Sequence, residues 1–252
     1  MCEVRWNLFI FLSPIMYLTL QGQTIPKDIQ KCHFGNTKCT VDSMNAVIRN
    51  YPKGLPEIGM KPIDIVDAGF SQVWKNEQIG GTWFNFKLYD LIAYGYENTT
   101  ITKVEGFGKN PTATRMEIHG QIPSLVHKGK YISYGRAWFI QLNGTGPSFS
   151  DFQNFRFTLK LKVIQEYRNN KRYLNIYELV PIIHMDRWNI WLDEFSPENI
   201  DLTIAVNKVF NDNWLEFWNE LEPTVLPTLA NTFTDLINNI FEKVSYDDMF
   251  IT

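Results

Sequence analysis

Between positions 155 and 163 the chain reads Phe-Arg-Phe-Thr-Leu-Lys-Leu-Lys-Val. Phe155, Phe157, Leu159, Leu161 and Val163 alternate with Arg156, Thr158, Lys160 and Lys162, which predicts a strand with one buried and one wet face. A strand of that kind belongs to an antiparallel sheet whose outer side is solvated. Further strands are expected at 82–94, 99–108, 113–120, 130–142, 173–182 and 185–192. Turn signals at Gly106-Phe107-Gly108, His127-Lys128-Gly129, Asn143-Gly144-Thr145-Gly146 and Asn169-Asn170 separate them. No strand–helix–strand alternation is present, so a parallel sheet is disfavoured. Ahead of the strands, 40–50 reads as a short helix ended by Tyr51-Pro52-Lys53-Gly54. Residues 54–70 read as a loop broken by Pro56, Gly59 and Pro62.

In the last fifth of the chain the period changes. From Val206 to Val244 apolar residues recur three and four apart, which predicts a helix with one apolar stripe. Unbroken, it would run about 60 Å. Pro223 and Pro227 each remove a backbone donor, so a kink or break is expected within 221–227. The stripe is too apolar to face water, and the only large partner is the buried face of the sheet. The pattern therefore predicts an α+β fold, a long curved antiparallel sheet wrapped around a long C-terminal helix.

Composition narrows the function. The 252 residues are 44% hydrophobic and 15% aromatic, enough to build a large core and incompatible with a mainly disordered chain. A net charge of −3 offers no basic field for a phosphate backbone, so nucleic acid is not an expected partner. Arg5 followed by the apolar run Trp6–Leu20 reads as a cleaved secretory signal, too short to span a bilayer comfortably, with a retained anchor as the alternative. The expected organisation is a signal peptide at 1–22 and a single domain at 23–252, secreted and extracellular. Loss of the signal removes Cys2 and leaves Cys32 and Cys39, which in an oxidising compartment close a small disulfide loop. Two free thiols, or a metal site with His33, are the alternatives. Sequons at Asn98 and Asn143 agree with export and are candidate glycosylation sites.

Catalytic signatures are missing. His33, His119, His127 and His184 show no zinc-hydrolase spacing, and Ser124 has no nucleophile-elbow glycines. Gly144-Thr145-Gly146 leads into Pro147 and a strand, not a phosphate-binding helix. No enzyme activity, cofactor or metal is expected.

Several motifs nevertheless occur in a specific order. They are Cys32-x6-Cys39, Lys53-Gly54-Leu55-Pro56-Glu57-Ile58-Gly59, Tyr94-Gly95 with Asn98, Pro123 with Gly129-Lys130-Tyr131, and Tyr131 to Gly146 with its glycine spacing. Leu192-Asp193-Glu194-Phe195, Asn213-Trp214-Leu215 and the closing Phe241 to Phe250 follow. In this order the chain resembles the takeout / juvenile hormone-binding protein family of secreted insect proteins over essentially all of 23–252. The resemblance implies a highly curved sheet around one C-terminal helix, tubular lipid-binding-like, enclosing a hydrophobic tunnel. It implies a carrier of a juvenile hormone-like terpenoid or a fatty-acyl molecule in haemolymph. With no cysteine after Cys39 the chain resembles the takeout-like branch. Ser245 stands where the family usually has proline, and Ile65 follows Asp64 where proline is common.

The expected lining follows from these two sources. Alternation turns Phe155, Phe157, Leu159 and Leu161 inward. Matching the family's outward positions to Ile132 and Arg136 places Tyr131, Ala137 and Phe139 inside, and likewise Trp188, Ile190 and Leu192. The helix contributes Trp214, Trp218, Phe233, Ile237 and Phe241. Tyr131, Tyr134 and Gln141 are candidates for holding a polar head group. The expected partner is a small lipophilic ligand bound by a monomer, with a receptor or transient membrane contact as a further possibility. The alternative reading is a secreted interaction module whose interior is filled and whose surface binds a receptor or membrane.

Overall fold

The computed structural model describes residues 25–76, 83–137, 140–141 and 143–251. In chain order its elements are β1 (Cys32–His33), α1 (Thr37–Asn50), β2 (Val66–Asn76), β3 (Trp83–Tyr94), β4 (Thr100–Glu105), β5 (Met116–Ala137), β6 (Ile140–Gln141), β7 (Gly144–Arg168), β8 (Lys171–His184) and β9 (Arg187–Leu192). Then follow α2 (Ile200–Asp212), α3 (Trp214–Lys243), α4 (Tyr246–Met249) and β10 (Phe250–Ile251).

Two long strands form the spine. β5 and β7 pair antiparallel from Met116↔Leu161 to Ser133↔Gly144 in one unbroken register. Each has two successive neighbours on its other side. β4 pairs with Gln121 and the residues before it on β5, and β3 with Val126 and those after it. β9 pairs with β7 up to Gln153, and β8 from Arg156 onward. β2 extends the sheet beyond β3.

All of these changes occur at one level, where Pro123 of β5 faces Asn154 of β7 between the pairs Ile122↔Phe155 and Ser124↔Gln153. Pro123 has no N–H to give the ladder, and Asn154 takes a left-handed φ of 49°. The inward phase of both strands flips there. Ile118 and Ile122 are buried before it and Leu125 and Tyr131 after it, while on β7 Phe152 gives way to Phe155. The curved sheet is thus two half-sheets sharing one kinked spine. Gly95, after β3, closes the joint on one side. With φ of 109°, it lies where a Cβ would be 2.3 Å from the Ser124 carbonyl oxygen, so only glycine fits. Asp186 closes the other side through a 2.7 Å ion pair with Arg156 and a 2.8 Å hydrogen bond from Asn154.

The predicted turn at 127–129 is absent. The strand expected at 113–120 and the first part of that expected at 130–142 lie in one continuous β5, Ile140–Gln141 form the separate β6 paired antiparallel with its end, and Gly144 opens β7 instead of lying in a turn. Pro123 marks the kink, while Gly129 lies inside the paired strand at a close approach, where a Cβ would be 2.9 Å from the Tyr89 carbonyl oxygen. β2 is not among the expected strands, and its first residues, Val66–Phe70, fall within the expected 54–70 loop. Asn169-Asn170 does turn the chain, both with positive φ, as a two-residue hairpin requires.

The helical stripe breaks, but not at its prolines. α3 runs through Pro223 and Pro227 uninterrupted, and the break lies at Asn213. Both prolines, and Asn219 four residues before Pro223, face outward. The carbonyls they deprive therefore meet water, which satisfies them. Asn213 competes instead for backbone: its N–H and its side-chain amide both donate to the Val209 carbonyl, at 3.1 and 2.8 Å.

Asparagines on the helices complete the sheet edges. Asn207 of α2 is 1% exposed; its Oδ1 accepts from Leu192 N–H at 2.7 Å, and its Nδ2 donates to the carbonyls of Leu192 and Thr203. One turn on, Asn211 treats Ile190 in the same way, at 2.9 and 2.7 Å. Asn45 of α1 pairs with both backbone groups of Ile101 on β4, and Asn238 of α3 accepts from Ile176 N–H of β8. At the C-terminal end, Ser245 Oγ caps α4 by accepting from Asp248 N–H at 3.1 Å. Asp247 binds the Arg172 guanidinium and its backbone N–H, and that charge holds its carboxyl below the usual range. β10 then pairs in parallel with β1, whose Cys32 is disulfide-bonded to Cys39.

Replacing Asn207 with Leu keeps the size but strands both backbone groups of Leu192. At about 1–3 kcal/mol for each unmade buried bond, urea unfolding should show a loss of about 2–5 kcal/mol. An unchanged midpoint would remove the amide clamp from the account.

Candidate functional site: two apolar chambers

Each half-sheet covers its own cavity. The first, about 310 Å³, lies between β4, the Met116–Ile122 half of the spine, α1 and the C-terminal half of α3. Ile101, Ile118, Phe157 and Leu159 supply the sheet wall, and Phe233, Ile237 and Phe241 the helix wall. Met44, Val47 and Ile48 of α1 and Ile58, Met60 and Ile63 of the following loop complete it. The second, about 120 Å³, lies under β2, β3, the other half of the spine and β9. Phe84, Phe86 and Leu88 face Trp188, Ile190 and Leu192 across it. Trp218, Leu221, Val225 and Leu229 of α3 form its floor with Phe210 of α2.

Tyr96 lines both chambers. It sits in the 3₁₀ turn Tyr96–Asn98 that links β3 to β4, the segment that steps from one half-sheet to the other. Its ring meets Phe233 edge-on at 5.8 Å. The expected tunnel takes the form of two chambers that meet at Tyr96, a wall residue of both.

The predicted lining residues divide. Phe157, Leu159, Phe233, Ile237 and Phe241 line the first chamber, and Trp188, Ile190, Leu192 and Trp218 the second. Phe155 and Leu161 are each 1% exposed and face inward as expected, but pack into the core without reaching either chamber. Trp214 is half-buried against that core. Tyr131 is buried, yet its hydroxyl donates to the Asp193 carbonyl at 3.0 Å and its ring stacks on Phe86, so it lines neither chamber and is not placed to hold a head group there. Burial, with Asp193 and Glu194 nearby, pushes its phenol pKa upward. Tyr134 and Gln141 are exposed on the outer side. Ala137 ends β5, and Phe139 lies outside the described residues. Asn98 and Asn143 are both exposed, with the Asn143 Oδ1 accepting from Gly135 N–H.

Sequence reading missed α1, the Ile58–Ile63 loop and β3 as walls. The alternation of Phe84, Phe86 and Leu88 carried that signal for β3. It also missed the polar groups in the second wall. Ser71, His127 and Trp188 line that chamber, and Ser71 Oγ, His127 Nε2 and Trp188 Nε1 are sealed from water without a partner. The His127 ring lies edge-on to Phe152 at 5.3 Å, and Phe152 stacks on Trp188 at 5.6 Å. Burial lowers the His127 pKa to about 4, so the imidazole is neutral at pH 7.

This burial has a pH signature. The unfolded imidazole gains its proton near 6.5, the folded one only near 4. Across that window the unfolded state binds more protons, so stability falls as pH drops from 6.5 to 4. The His127 share is roughly 2–3 kcal/mol. Denaturation from pH 7 to 4 should show a His127→Phe variant losing that much less than the parent; equal slopes would mean that His127 protonates in the folded state.

Comparison with known proteins agrees with this architecture. The sequence profile of the family described as haemolymph juvenile hormone binding protein matches residues 8–251. Circadian clock-controlled protein daywake of Drosophila yakuba is 19% identical over 251 residues, covering 95% of this chain and 93% of its own. The daywake protein of Drosophila melanogaster is 18% identical over 232 residues, covering 91% and 89%. The crystal structure of Epiphyas postvittana takeout 1 superposes with a TM-score of 0.75 at 17% identity, over 89% of this chain and 100% of that one. That likeness shows a shared tubular lipid-binding fold.

Proposed function

The chain belongs to the haemolymph juvenile hormone binding protein family, a family of ligand-binding carriers, and from that premise we propose that it is a secreted carrier of a lipophilic small molecule, a terpenoid or fatty-acyl chain held in the two chambers. The observation that carries this reading is the pair of apolar cavities left between sheet and helices, where a filled interaction module would have packed side chains. Burying about 300 Å² of apolar ligand surface at roughly 25 cal/mol per Å² yields about 7 kcal/mol before binding costs. Before those costs this corresponds to a Kd of roughly 10 μM, without a charged contact. Export is supported by the apolar run at 6–20 and by the disulfide between Cys32 and Cys39, with the mature chain starting near residue 23. Asn98 and Asn143 are exposed and so accessible to glycosylation in the secretory pathway.

Native mass spectrometry of the protein secreted from insect cells, followed by organic extraction, tests the reading. A stoichiometric lipophilic molecule is expected, and uptake of a fluorescent fatty-acyl probe should be lost in folded Phe157→Asp and Trp218→Asp variants. A protein that emerges empty and takes up neither terpenoids nor fatty-acyl chains is not a carrier, and the receptor- or membrane-binding alternative then replaces this reading.

A further inference from the structure

The outer face of the sheet differs between its two halves. Outside the first chamber the surface charges pair with one another: Lys103 with Glu105, Lys160 with Glu117, Lys162 with Glu178 and Arg156 with Asp186. Outside the second chamber large apolar side chains stand in the open. Trp74 and Phe70 of β2 are 65% and 54% exposed, Tyr134 of β5 is 61% exposed, and Trp83 and Ile132 are exposed beside them. The pairing register makes them neighbours. Trp74 lies opposite Asn85 and Asn85 opposite Tyr134, whose ring meets Trp83 edge-on at 5.3 Å. Lys87 faces Ile132 in the next outward row, and Tyr89 faces Lys130 in the row after that. Lys130 Nζ lies 5.9 Å from the Tyr89 ring centre and Lys128 Nζ 5.5 Å from that of Tyr94. From Lys128 to Tyr134 the patch runs roughly 20 Å along the strand. The segments Phe70–Trp74, Trp83–Tyr89 and Lys128–Arg136 contain no Asp or Glu. At the margin Asp90 is ion-paired with Lys130 at 3.2 Å, and Asp67 accepts from Gly69 N–H. Acid is concentrated on the helical side, where 198–222 holds Glu198, Asp201, Asp212, Glu216, Glu220 and Glu222 against Lys208 alone.

We propose that this outer face of β2, β3 and β5 docks on an anionic lipid surface, with Trp74, Trp83 and Tyr134 entering the headgroup layer and Lys87, Lys128 and Lys130 meeting the lipid phosphates and carboxylates. The face lies on the outside of the sheet, so the proposal stands whether or not the chambers hold a ligand. An exposed apolar patch of this extent marks an interaction surface. Trp and Tyr settle at the headgroup level of a bilayer, because their rings are apolar and their N–H or O–H groups stay wet. Lysines beside them add attraction to an anionic leaflet that acts within about a Debye length. The charge distribution fixes the orientation, since the acidic helices turn away when the sheet faces the lipid. A second copy seated on the same face would set lysine against lysine. An acidic protein surface would meet the lysines but leave the rings without apolar cover, whereas a bilayer supplies both layers.

Co-sedimentation of the secreted protein with vesicles tests the proposal, using phosphatidylcholine alone and phosphatidylcholine with phosphatidylserine at roughly three to one. The parent should bind the mixed vesicles at least about tenfold more tightly than the neutral ones at low salt, and the difference should shrink as salt rises. Trp74→Ser combined with Tyr134→Ser, and Lys87→Gln combined with Lys128→Gln and Lys130→Gln, should each weaken binding to the mixed vesicles by about tenfold or more. A matched control, Lys103→Gln with Lys160→Gln and Lys162→Gln, removes the same charge from the other half-sheet and should stay within about threefold of the parent. All these changes are on the surface, and unchanged circular dichroism would show that the variants fold. Absence of binding to mixed vesicles, equal binding to both kinds, or an equal loss in the control would overturn the lipid-docking face. Binding of polyglutamate with no binding of vesicles would also overturn it and assign the face to an acidic protein. Uptake of the fluorescent fatty-acyl probe is read separately, so the docking face and the carrier reading can each fail without the other.

Discussion

A sheet that curls around a cavity without closing into a barrel leaves edges, and the backbone groups along those edges must be paired. In this protein side-chain amides from the helices pair them. Asn207 and Asn211 act as a surrogate strand for Leu192 and Ile190, Asn45 does so for Ile101, and Asn238 serves Ile176. The net stabilisation per bond is only about 1 kcal/mol, but leaving such a group buried and unmet costs as much or more. The arrangement also separates two tasks. The amides hold the helices to the sheet at its margins, so apolar side chains in the middle need not all interlock, and space remains between the layers.

That space is divided by the same feature that bends the sheet. Pro123 opposite Asn154 flips the inward phase of both spine strands and hands each over from one neighbour to another. The strand-to-strand link at Tyr96 crosses at that level, which puts an aromatic side chain where the chambers meet. One position of backbone incompatibility thus sets the curvature and the place of Tyr96, the one residue among those described that lines both cavities.

Much of the fold was legible because it rests on period. The alternation through Phe155–Val163 and at Trp188, Ile190 and Leu192 gave the right inward faces, and the three-and-four spacing after Val206 gave the right helical stripe. What was not legible depends on context outside the local pattern. Proline signals chain breaking, but Pro223 and Pro227 sit on the wet side of α3, where lost bonds are replaced by water. The break fell instead on Asn213, whose side chain captures a carbonyl. His127-Lys128-Gly129 has turn composition, yet pairing on both sides kept it extended. The site itself was only partly readable. Phe155 and Leu161 alternate as faithfully as Phe157 and Leu159, and the difference between core and chamber wall is a matter of missing volume, which no periodicity encodes.

The order of the elements along the chain adds a constraint on how the molecule is made. Synthesis runs from the N-terminus, so every strand of the curved sheet is built before α3, the helix that covers both chambers. Until Trp218, Leu229, Phe233 and Phe241 are translated and released, the concave face, with Phe152, Phe157 and Trp188, has no cover. The nascent protein therefore passes through a stage at which its largest sticky surface is open to the medium. The C-terminal turn tied by Arg172 to Asp247 and the late pairing of Phe250 beside Cys32 end that stage. Biogenesis of such a fold depends on protection during the last quarter of translation, and the speed of helix docking governs how much of the product escapes aggregation.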